Sequence, residues 1–255
     1  GDLLIKAELS AFNPQPWLEA FNLNTYGSIA ARLDGSVSAL LDESVMLQDL
    51  SLKLHSKSGQ LIVPQLWPQP QSFTALALEA QLEPTRRKLT VTEASLHLDG
   101  VKLAVKGDIA QRAENPDELS MRAEANIKDW PLDKMAALWP ERVAPNPRTW
   151  IVAHMSNGVI RSATTKLLAR IDRSDLTALN NITLNSTLNF ENATVHYLDG
   201  MPPASGINGE ATADQDSVRL TSRGGKAGGV TLGDSIITIA GLSAEDQTID
   251  IRLSS

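Results

Sequence analysis

Alternation of apolar and polar residues with a period of two is the feature that most constrains how this chain can fold. It recurs along the whole length, in the runs 5–11, 101–105, 121–127, 182–188 and 249–253. Because successive side chains of a β-strand point to opposite faces, such runs predict half-buried strands. Each predicted strand has one apolar and one polar face.

Short turn signals separate these runs. Two of them are Leu33-Asp34-Gly35 and Leu98-Asp99-Gly100, and Asp-Gly pairs favour tight hairpin turns. Strands joined by hairpins form antiparallel sheets. Aromatic residues are only 4% of the chain, so the apolar side chains are mostly aliphatic, which suits a thin, extended sheet. The prediction is a mainly β fold built on an antiparallel sheet.

Two segments break the alternation and predict short helices near residues 14–21 and 131–155. In the second, Asp129 is placed to cap a helix that Pro140 stops, and the Pro145-Asn146-Pro147 segment starts another. Both segments combine prolines with tryptophan. We therefore expect them to be equivalent elements of a repeated architecture.

The domain prediction is one continuous β fragment over residues 1–255. Its parts are a β segment with a short helix (1–128), a helical insertion (129–157) and a second β segment (158–255). The chain starts without methionine and stops inside a strand-like run, so we expect it to be an internal piece of a longer protein.

An internal echo supports repetition. Residues 91–98 resemble residues 190–197, and in each copy the apolar positions change parity, from Val91 to Ala94 and from Phe190 to Ala193. A change of parity within a strand predicts a β-bulge or a tight corner. Both corners should lie at equivalent places.

Charge and composition disfavour several function classes. The net charge is -7 with scattered basic residues, which argues against nucleic acid as a partner. No cysteine is present, and the four histidines lack paired metal-ligand spacing, so neither a metal nor any other cofactor is predicted.

Catalytic motifs are also missing from the sequence. There is no G-x-S-x-G or S-x-x-K, and alternation places most carboxylates on the polar strand face. The glycine-rich stretch 223–229 lacks the order of a phosphate loop, and a glycine-rich hairpin or sheet corner is the better interpretation. The chain is predicted not to be an enzyme, with no catalytic residue.

One stretch is specific enough to show a family resemblance. It contains Leu138-Trp139-Pro140, the segment 144–151 with Arg148 and Trp150, and Met155-Ser156-Asn157-Gly158-Val159-Ile160. It resembles the W-P, A-x-x-x-R-x-W and N-x-x-x-G-x-[IV] signature of the YhdP-type AsmA-like bacterial envelope proteins, in the AsmA/TamB-like superfamily. The resemblance covers roughly residues 85–255.

The resemblance implies a long curved antiparallel sheet, a taco-like repeating β-groove, in the periplasm. It further implies an inner-membrane anchor and a role in carrying phospholipid toward the outer membrane, which would support outer-membrane lipid homeostasis. The expected partners are phospholipid acyl chains, with both membranes reached through parts outside this chain. No catalytic residues carry over, and the signature residues Trp139, Pro140 and Trp150 are expected to pack.

The predicted lipid-binding residues lie on the apolar side of the alternating runs. They are Leu89, Val91, Leu96, Leu98, Val101, Leu103, Val105, Leu167, Ile171, Leu184, Leu188, Val195, Leu220 and Ile239. The helical segment 131–155 either closes one side of this groove or marks its boundary. Two rivals remain, a structural β-scaffold whose apolar face is fully buried and an envelope enzyme acting on glycans.

Overall fold

The computed structural model describes residues 1–20, 22–25, 27–172, 175–197, 200–242 and 246–253, with the backbone alone for residues 23, 175–181 and 253. Strands account for 63% of the chain. Within the described residues, 18 strands belong to one hydrogen-bonded sheet. Wherever the register is described, paired strands run antiparallel. The predicted fold class, a mainly β antiparallel sheet, is confirmed.

The strands are numbered in chain order. They are β1 (Leu3–Phe12), β2 (Ser28–Ala31), β3 (Leu33–Leu41), β4 (Leu47–Ser56), β5 (Gly59–Ile62), β6 (Gln71–Glu83), β7 (Lys88–Leu98), β8 (Val101–Gln111), β9 (Glu118–Pro131), β10 (Met155–Ser156), β11 (Val159–Asp172), β12 (Asp175–Val195), β13 (Ala204–Ala213), β14 (Ser217–Arg223), β15 (Lys226–Ala227), β16 (Val230–Thr231), β17 (Ser235–Ala240) and β18 (Thr248–Leu253).

Short helices occupy the two segments predicted for them. They are α1 (Gln15–Ala20), α2 (Met135–Leu138) and α3 (Pro145–His154), and 3-10 turns lie at Leu23–Thr25, Pro84–Arg86 and Leu132–Lys134. The two helical predictions are confirmed.

The chain forms two compact units. Unit 1 contains residues 1–125 and 167–182, and unit 2 contains residues 126–166 and 183–255. In unit 1, strands β1, β3, β4, β6, β7 and β8 pair in that order. In unit 2, strands β12, β13, β14, β17 and β18 pair in that order, and the short β15–β16 hairpin joins β13.

Both predicted parity changes coincide with a break in strand register. The register of β7 against β8 shifts between Val91 and Ala94. The register of β12 against β13 shifts between Phe190 and Ala193. Extra residues in one strand bring the next apolar side chain back to the same face, as a β-bulge does. The prediction of a bulge or corner in both copies of the echo is confirmed.

A glycine on the following strand lies opposite each bulge. Gly107 pairs with Val91, and Gly209 pairs with Phe190. A Cβ added at either glycine would lie 2.2 Å from a backbone carbonyl oxygen of the next strand, that of Arg122 for Gly107 and that of Thr221 for Gly209. No side chain fits at that distance. The repeated element is therefore a bulge opposed by a glycine, a device that bends a sheet locally.

One predicted turn is confirmed and the other is wrong. Asp99 and Gly100 have φ of 46° and 87° and join β7 to β8, as a primed hairpin turn requires. Leu33-Asp34-Gly35 lies inside β3 instead. Its aspartate Oδ1 accepts a hydrogen bond of 2.9 Å from the backbone N–H of Ala11, a residue of β1 with φ of 47°. The aspartate thus supports a bulged strand rather than a turn.

The predicted capping role of Asp129 is also wrong. The 3-10 turn that opens the helical segment has Pro131 at its N-cap, with no side-chain cap hydrogen bond. Asp129 has φ of 57°, and its Oδ1 lies 3.6 Å from Nη1 of Arg161. The strand β9 continues through this residue, which a helix cap would not allow.

Candidate functional site

Three unbroken rows of mostly apolar residues cross six strands on one face of unit 1. Directly paired residues of neighbouring strands lie on the same face, so the register defines the rows. The first row is Ile5, Ala39, Leu50, Leu82, Leu89 and Ile109; the second is Ala7, Val37, Leu52, Ala80, Val91 and Gly107; the third is Leu9, Gly35, Leu54, Leu78, Ala94 and Val105. We call these residues the unit 1 apolar face.

The opposite face of the same strands is polar. Lys53 of β4 and Glu79 of β6 form an ion pair of 2.8 Å, and Lys106 of β8 and Glu124 of β9 form one of 3.1 Å. Exposed pairs of this kind contribute little stability. Their position matters more, because it leaves charge on one side of the strands and aliphatic side chains on the other.

The unit 1 apolar face remains partly open to solvent. Val37, Leu52 and Leu78 in its middle are half-buried, and Ile5 at its edge is 48% exposed. Six strands spaced by about 4.8 Å and three rows spaced by about 7 Å give a patch on the order of 400 Å². Patches of this size on soluble proteins often mark interaction sites.

Burial increases toward one end of β6, β7 and β8. Further along these strands, Phe73, Leu98 and Val101 pair with one another and are 2%, 5% and 6% exposed. Between them and the open rows, Leu96 is 9% exposed and its partner Leu103 is half-buried. The face therefore grades from a closed core into an accessible apolar surface.

The predicted binding residues of β7 and β8 share this side of unit 1. Leu89, Val91 and Val105 belong to the three rows, and Leu96, Leu98, Val101 and Leu103 continue them. On β11, Leu167 is half-buried and Ile171 is 5% exposed, while Leu168, on the opposite side of the strand, is 48% exposed. Lipid contact by these residues stays a prediction.

The predicted residues of unit 2 lie on an apolar face that is more completely buried. Leu184 and Leu188 of β12 are half-buried. Val195, Leu220 and Ile239 are 3%, 4% and 0% exposed. Leu188 pairs with Ala211, which in turn pairs with Leu220, so the strands carry a continuous apolar row. Here too, lipid contact stays a prediction.

The helical segment covers part of this face. Leu132, Ile151 and Met155 surround, together with Leu188 and Leu220 of the sheet, a void of about 10 Å³. A void of that size is at the limit of what one water needs. The segment therefore packs tightly on the sheet of unit 2, with Met135 1% exposed at its centre.

Arg148, the arginine of the family signature, links the two helices of this segment by hydrogen bonds. Arg148 of α3 donates from Nε to the carbonyl oxygen of Trp139 at 2.9 Å and from Nη2 to that of Ala136 at 2.8 Å. Two carbonyls at the end of α2 are thereby satisfied by a charged donor. Trp150, two residues further, is 8% exposed and stacks on His154 at 5.0 Å.

Replacing Arg148 with Met should loosen the helical segment. The change keeps the aliphatic stem but removes both charged hydrogen bonds, and such a bond contributes about 1.5–3 kcal/mol net, or less where it is partly exposed as these two are. We expect a loss of about 2 kcal/mol in the free energy of unfolding, measured by urea denaturation. Arg142→Met, at an exposed position of the same segment, is the control. Equal stability of the two variants would contradict the bracing role.

Sequence reasoning missed the larger part of the unit 1 apolar face. The lipid-binding residues predicted from the sequence include none from β1, β3, β4 or β6, although Ile5, Ala7 and Leu9 show the same alternation. The signal was therefore present. What the sequence lacked was the register, which shows that these strands continue the rows of β7 and β8.

One ionisable group of unit 2 is clearly perturbed. The pKa of Arg161 is raised above its usual value, first because its Nε donates a 2.7 Å hydrogen bond to Glu191 Oε2, and also because of the charges of Glu191 and Asp129. The guanidinium thus bridges Asp129 of β9 and Glu191 of β12 on the exposed surface, where such pairs contribute little stability.

The residues that the structure describes offer neither a metal cluster nor a membrane-spanning helix. Among them, no group of three or more histidine and acidic side chains could hold a metal ion. No helix in the same part of the chain is long and apolar enough to cross a membrane.

Comparison with known proteins identifies the family. A family model described as YhdP protein matches residues 17–255. No curated protein and no solved structure matches the chain. The match extends the resemblance, carried by residues 85–255, through most of the first strands. Because it covers far more than half of the sequence, the chain belongs to the YhdP family.

Proposed function

We propose that this chain binds the acyl chains of phospholipids on the unit 1 apolar face, within a bacterial envelope protein that transports lipid. The full protein is anchored in the inner membrane and works in the periplasm, where it supports lipid homeostasis of the outer membrane. Membership of the YhdP family supports an envelope role of this type. The observation that carries the proposal is a wide apolar face whose side chains are only half-buried.

The energetics favour acyl chains as the occupant. Each methylene exposed to water costs about 0.8 kcal/mol, so a chain of about 16 carbons costs on the order of 13 kcal/mol in transit. Contact with aliphatic side chains removes much of that cost. The face is about 24 Å across its six strands, and one leaflet of a bilayer core is about 15 Å thick. A single acyl chain therefore fits within it.

The same arrangement explains how a charged headgroup is tolerated. Burying an unpaired charge is costly, whereas a face open to solvent leaves the headgroup in water. The ion pairs of this unit, such as Lys53 with Glu79, lie on the other side of the strands. Binding of this kind depends on the acyl chain and selects little among headgroups.

A structural scaffold is the second candidate. Unit 2 favours it, because helices α2 and α3 and their neighbouring residues already cover part of the apolar sheet. A scaffold would need no ligand, and its apolar faces would be filled by the protein itself. The two functions differ in whether the unit 1 apolar face takes up lipid in solution.

Native mass spectrometry with lipid extraction tests this difference. We expect the chain purified from a bacterial host to carry phospholipid that denaturation releases. Leu103→Asp should reduce the bound fraction about tenfold, because it places a carboxylate directly beside the third apolar row, next to Val105. Ala104→Asp is the matched control, since Ala104 is the next residue of β8, is exposed and points to the polar face.

Two results would contradict the proposal. The first is a lipid-free mass for the purified chain that persists after incubation with phospholipid vesicles, which would favour the scaffold. The second is equal loss of lipid in Leu103→Asp and Ala104→Asp, which would place binding elsewhere. Circular dichroism on each variant verifies that the β content is retained.

A further inference from the structure

Unit 2 contains a separate apolar pocket on the same face of its sheet as the helical segment, next to the void beneath that segment. Six of the residues that line it are Phe190, Val195, Ala204, Ile207, Leu220 and Ile237. They come from strands β12, β13, β14 and β17, and four of them are less than 5% exposed. The pocket is therefore walled by buried core residues of the unit.

The chemistry of this pocket suits an alkyl group. None of its lining residues is charged, and its volume is about 40 Å³, room for roughly three water-sized spheres. Two serines at its floor already have partners: Ser222 Oγ donates to the carbonyl oxygen of Ser235 at 3.5 Å, and Ser235 Oγ donates to that of Gly233 at 3.3 Å. A narrow aliphatic segment fits this space better than a ring or a headgroup does.

The pocket is closed toward the helical segment. Leu220 lines it and also lines the small void beneath Leu132, Ile151 and Met155. An alkyl chain in the pocket cannot extend past Leu220 without displacing this packed segment. On this side the pocket is therefore a dead end, which suits the end of a chain.

The glycine-rich hairpin of the sequence covers the same pocket. Ala227 of β15 pairs with Ala204, and both line the cavity together with Leu232. The N–H of Leu232 donates to the carbonyl oxygen of Gly225 at 2.9 Å, which closes the hairpin. Gly225 has a φ of 110°, which favours glycine, and a Cβ added there would lie 2.2 Å from Ile207 Cδ1 at the pocket wall.

We propose that this pocket binds the methyl end of a single unbranched alkyl chain, with the hairpin of residues 224–232 as its cover. The class of ligand rests on the proposed function, whereas the position and the dead end rest on the geometry of unit 2. A free fatty acid and the acyl group of a lipid present the same chain end. Both are therefore candidate sources of the occupant.

A unique cysteine can report on occupancy, because the chain has no cysteine of its own. Ser222→Cys places a thiol at the pocket floor, and its reaction with a small methanethiosulfonate reagent measures access. We expect saturating dodecanoate or a lysophospholipid to slow this reaction at least tenfold. Thr221→Cys, the exposed neighbour on the other face of β14, should react at the same rate with and without either ligand. Protection by only one of the two probes identifies the source.

A third cysteine separates this inference from the proposed function. Leu78→Cys reports on the unit 1 apolar face. Protection of Leu78→Cys without protection of Ser222→Cys would overturn the pocket and leave the proposed function standing. Protection of Ser222→Cys alone would support the pocket and contradict the unit 1 site. Protection at neither position overturns both. If Ser222→Cys does not fold, Leu232→Cys on the hairpin serves in its place.

The hairpin offers an independent check. Gly225→Ala crowds Ile207 at the pocket wall, in addition to the strain of its positive φ of 110°, so the thiol of Ser222→Cys should react several times faster in this background without ligand. An unchanged rate would mean that the hairpin does not cover the pocket. Gly229→Ala has a similarly positive φ of 86°, but its added Cβ meets nothing within 4 Å, so it controls for the backbone strain in the same hairpin.

Discussion

Aspartate at Leu78 should lower the affinity of the chain for a fluorescent fatty acid about 100-fold, whereas aspartate at Ala77 should change it less than about threefold. Leu78 lies in the third row of the unit 1 apolar face, between Leu54 and Ala94. Ala77, the preceding residue of β6, lies on the polar face, between His55 and Ser95. The two variants carry the same new side chain on opposite faces of one central strand.

The expected effect follows from desolvation of the new charge. Before binding, the carboxylate of Leu78→Asp is hydrated, because the face is open to solvent. An acyl chain that covers it must remove that water or leave a gap, and either outcome costs several kcal/mol. A loss of about 100-fold corresponds to about 2.7 kcal/mol, which is within that cost. In the Ala77→Asp variant the carboxylate stays hydrated in both states.

A fluorescence titration at constant ionic strength gives the dissociation constants. Both variants should keep the far-ultraviolet circular dichroism of the parent. Binding that is equally strong in both variants would show that acyl chains do not lie on the unit 1 apolar face. Equal weakening would indicate an effect on the fold rather than on the site.

The bulges could be predicted from sequence because their signal is local. Alternation fixes which residues share a face, so the change of parity from Val91 to Ala94 can be recognised without any knowledge of the partner strand. The same holds for Phe190 and Ala193. The glycines that oppose these bulges could not be found in this way, because they lie 16 to 19 residues further along the chain. Only the register brings them together.

The difference between the two units could not be predicted for a related reason. Alternation shows that a strand has one apolar face, but it does not show what covers that face. Leu103 and Leu220 occupy the same kind of position in similar runs, yet Leu103 is half-buried and Leu220 is 4% exposed. The difference arises from residues far away in sequence, such as Ile151, that pack over the sheet of unit 2.

The two helical segments also differ in burial, although they begin alike. Each follows a strand with a positive φ near its end, at Ala11 in unit 1 and at Asp129 in unit 2. In each, an aromatic residue of that strand contacts a tryptophan: Phe12 lies 6.3 Å from Trp17, and Trp130 lies 5.8 Å from Trp139. Yet α1 buries none of its residues, whereas α3 buries three. A common local design therefore leaves the apolar face of unit 1 accessible and covers part of the apolar face of unit 2.

Substitution of the corner glycines should have the largest effect on stability. Gly107→Ala and Gly209→Ala each place a methyl group 2.2 Å from a backbone oxygen of the next strand, and backbone cannot move aside as a flexible side chain can. Overpacking of this kind typically costs 1–3 kcal/mol, and the rigid partner puts the expected loss at about 3 kcal/mol for each variant. Chemical denaturation measures the loss, with Ala104→Val, which adds two carbon atoms at an exposed position of β8, as the control.

The two corner variants also test whether the two similar sequence segments contribute equally to the free energy of unfolding. If each glycine serves an equivalent corner, the two losses should agree within about 1 kcal/mol, since the geometry of the clash is the same. The effects should also add in the double variant, because the two corners share no partners. A large loss for Gly107→Ala with none for Gly209→Ala would mean that the similarity of residues 91–98 and 190–197 does not extend to the role of the corner. A loss at both positions would identify the bulge and its glycine as the unit that is repeated along the sheet.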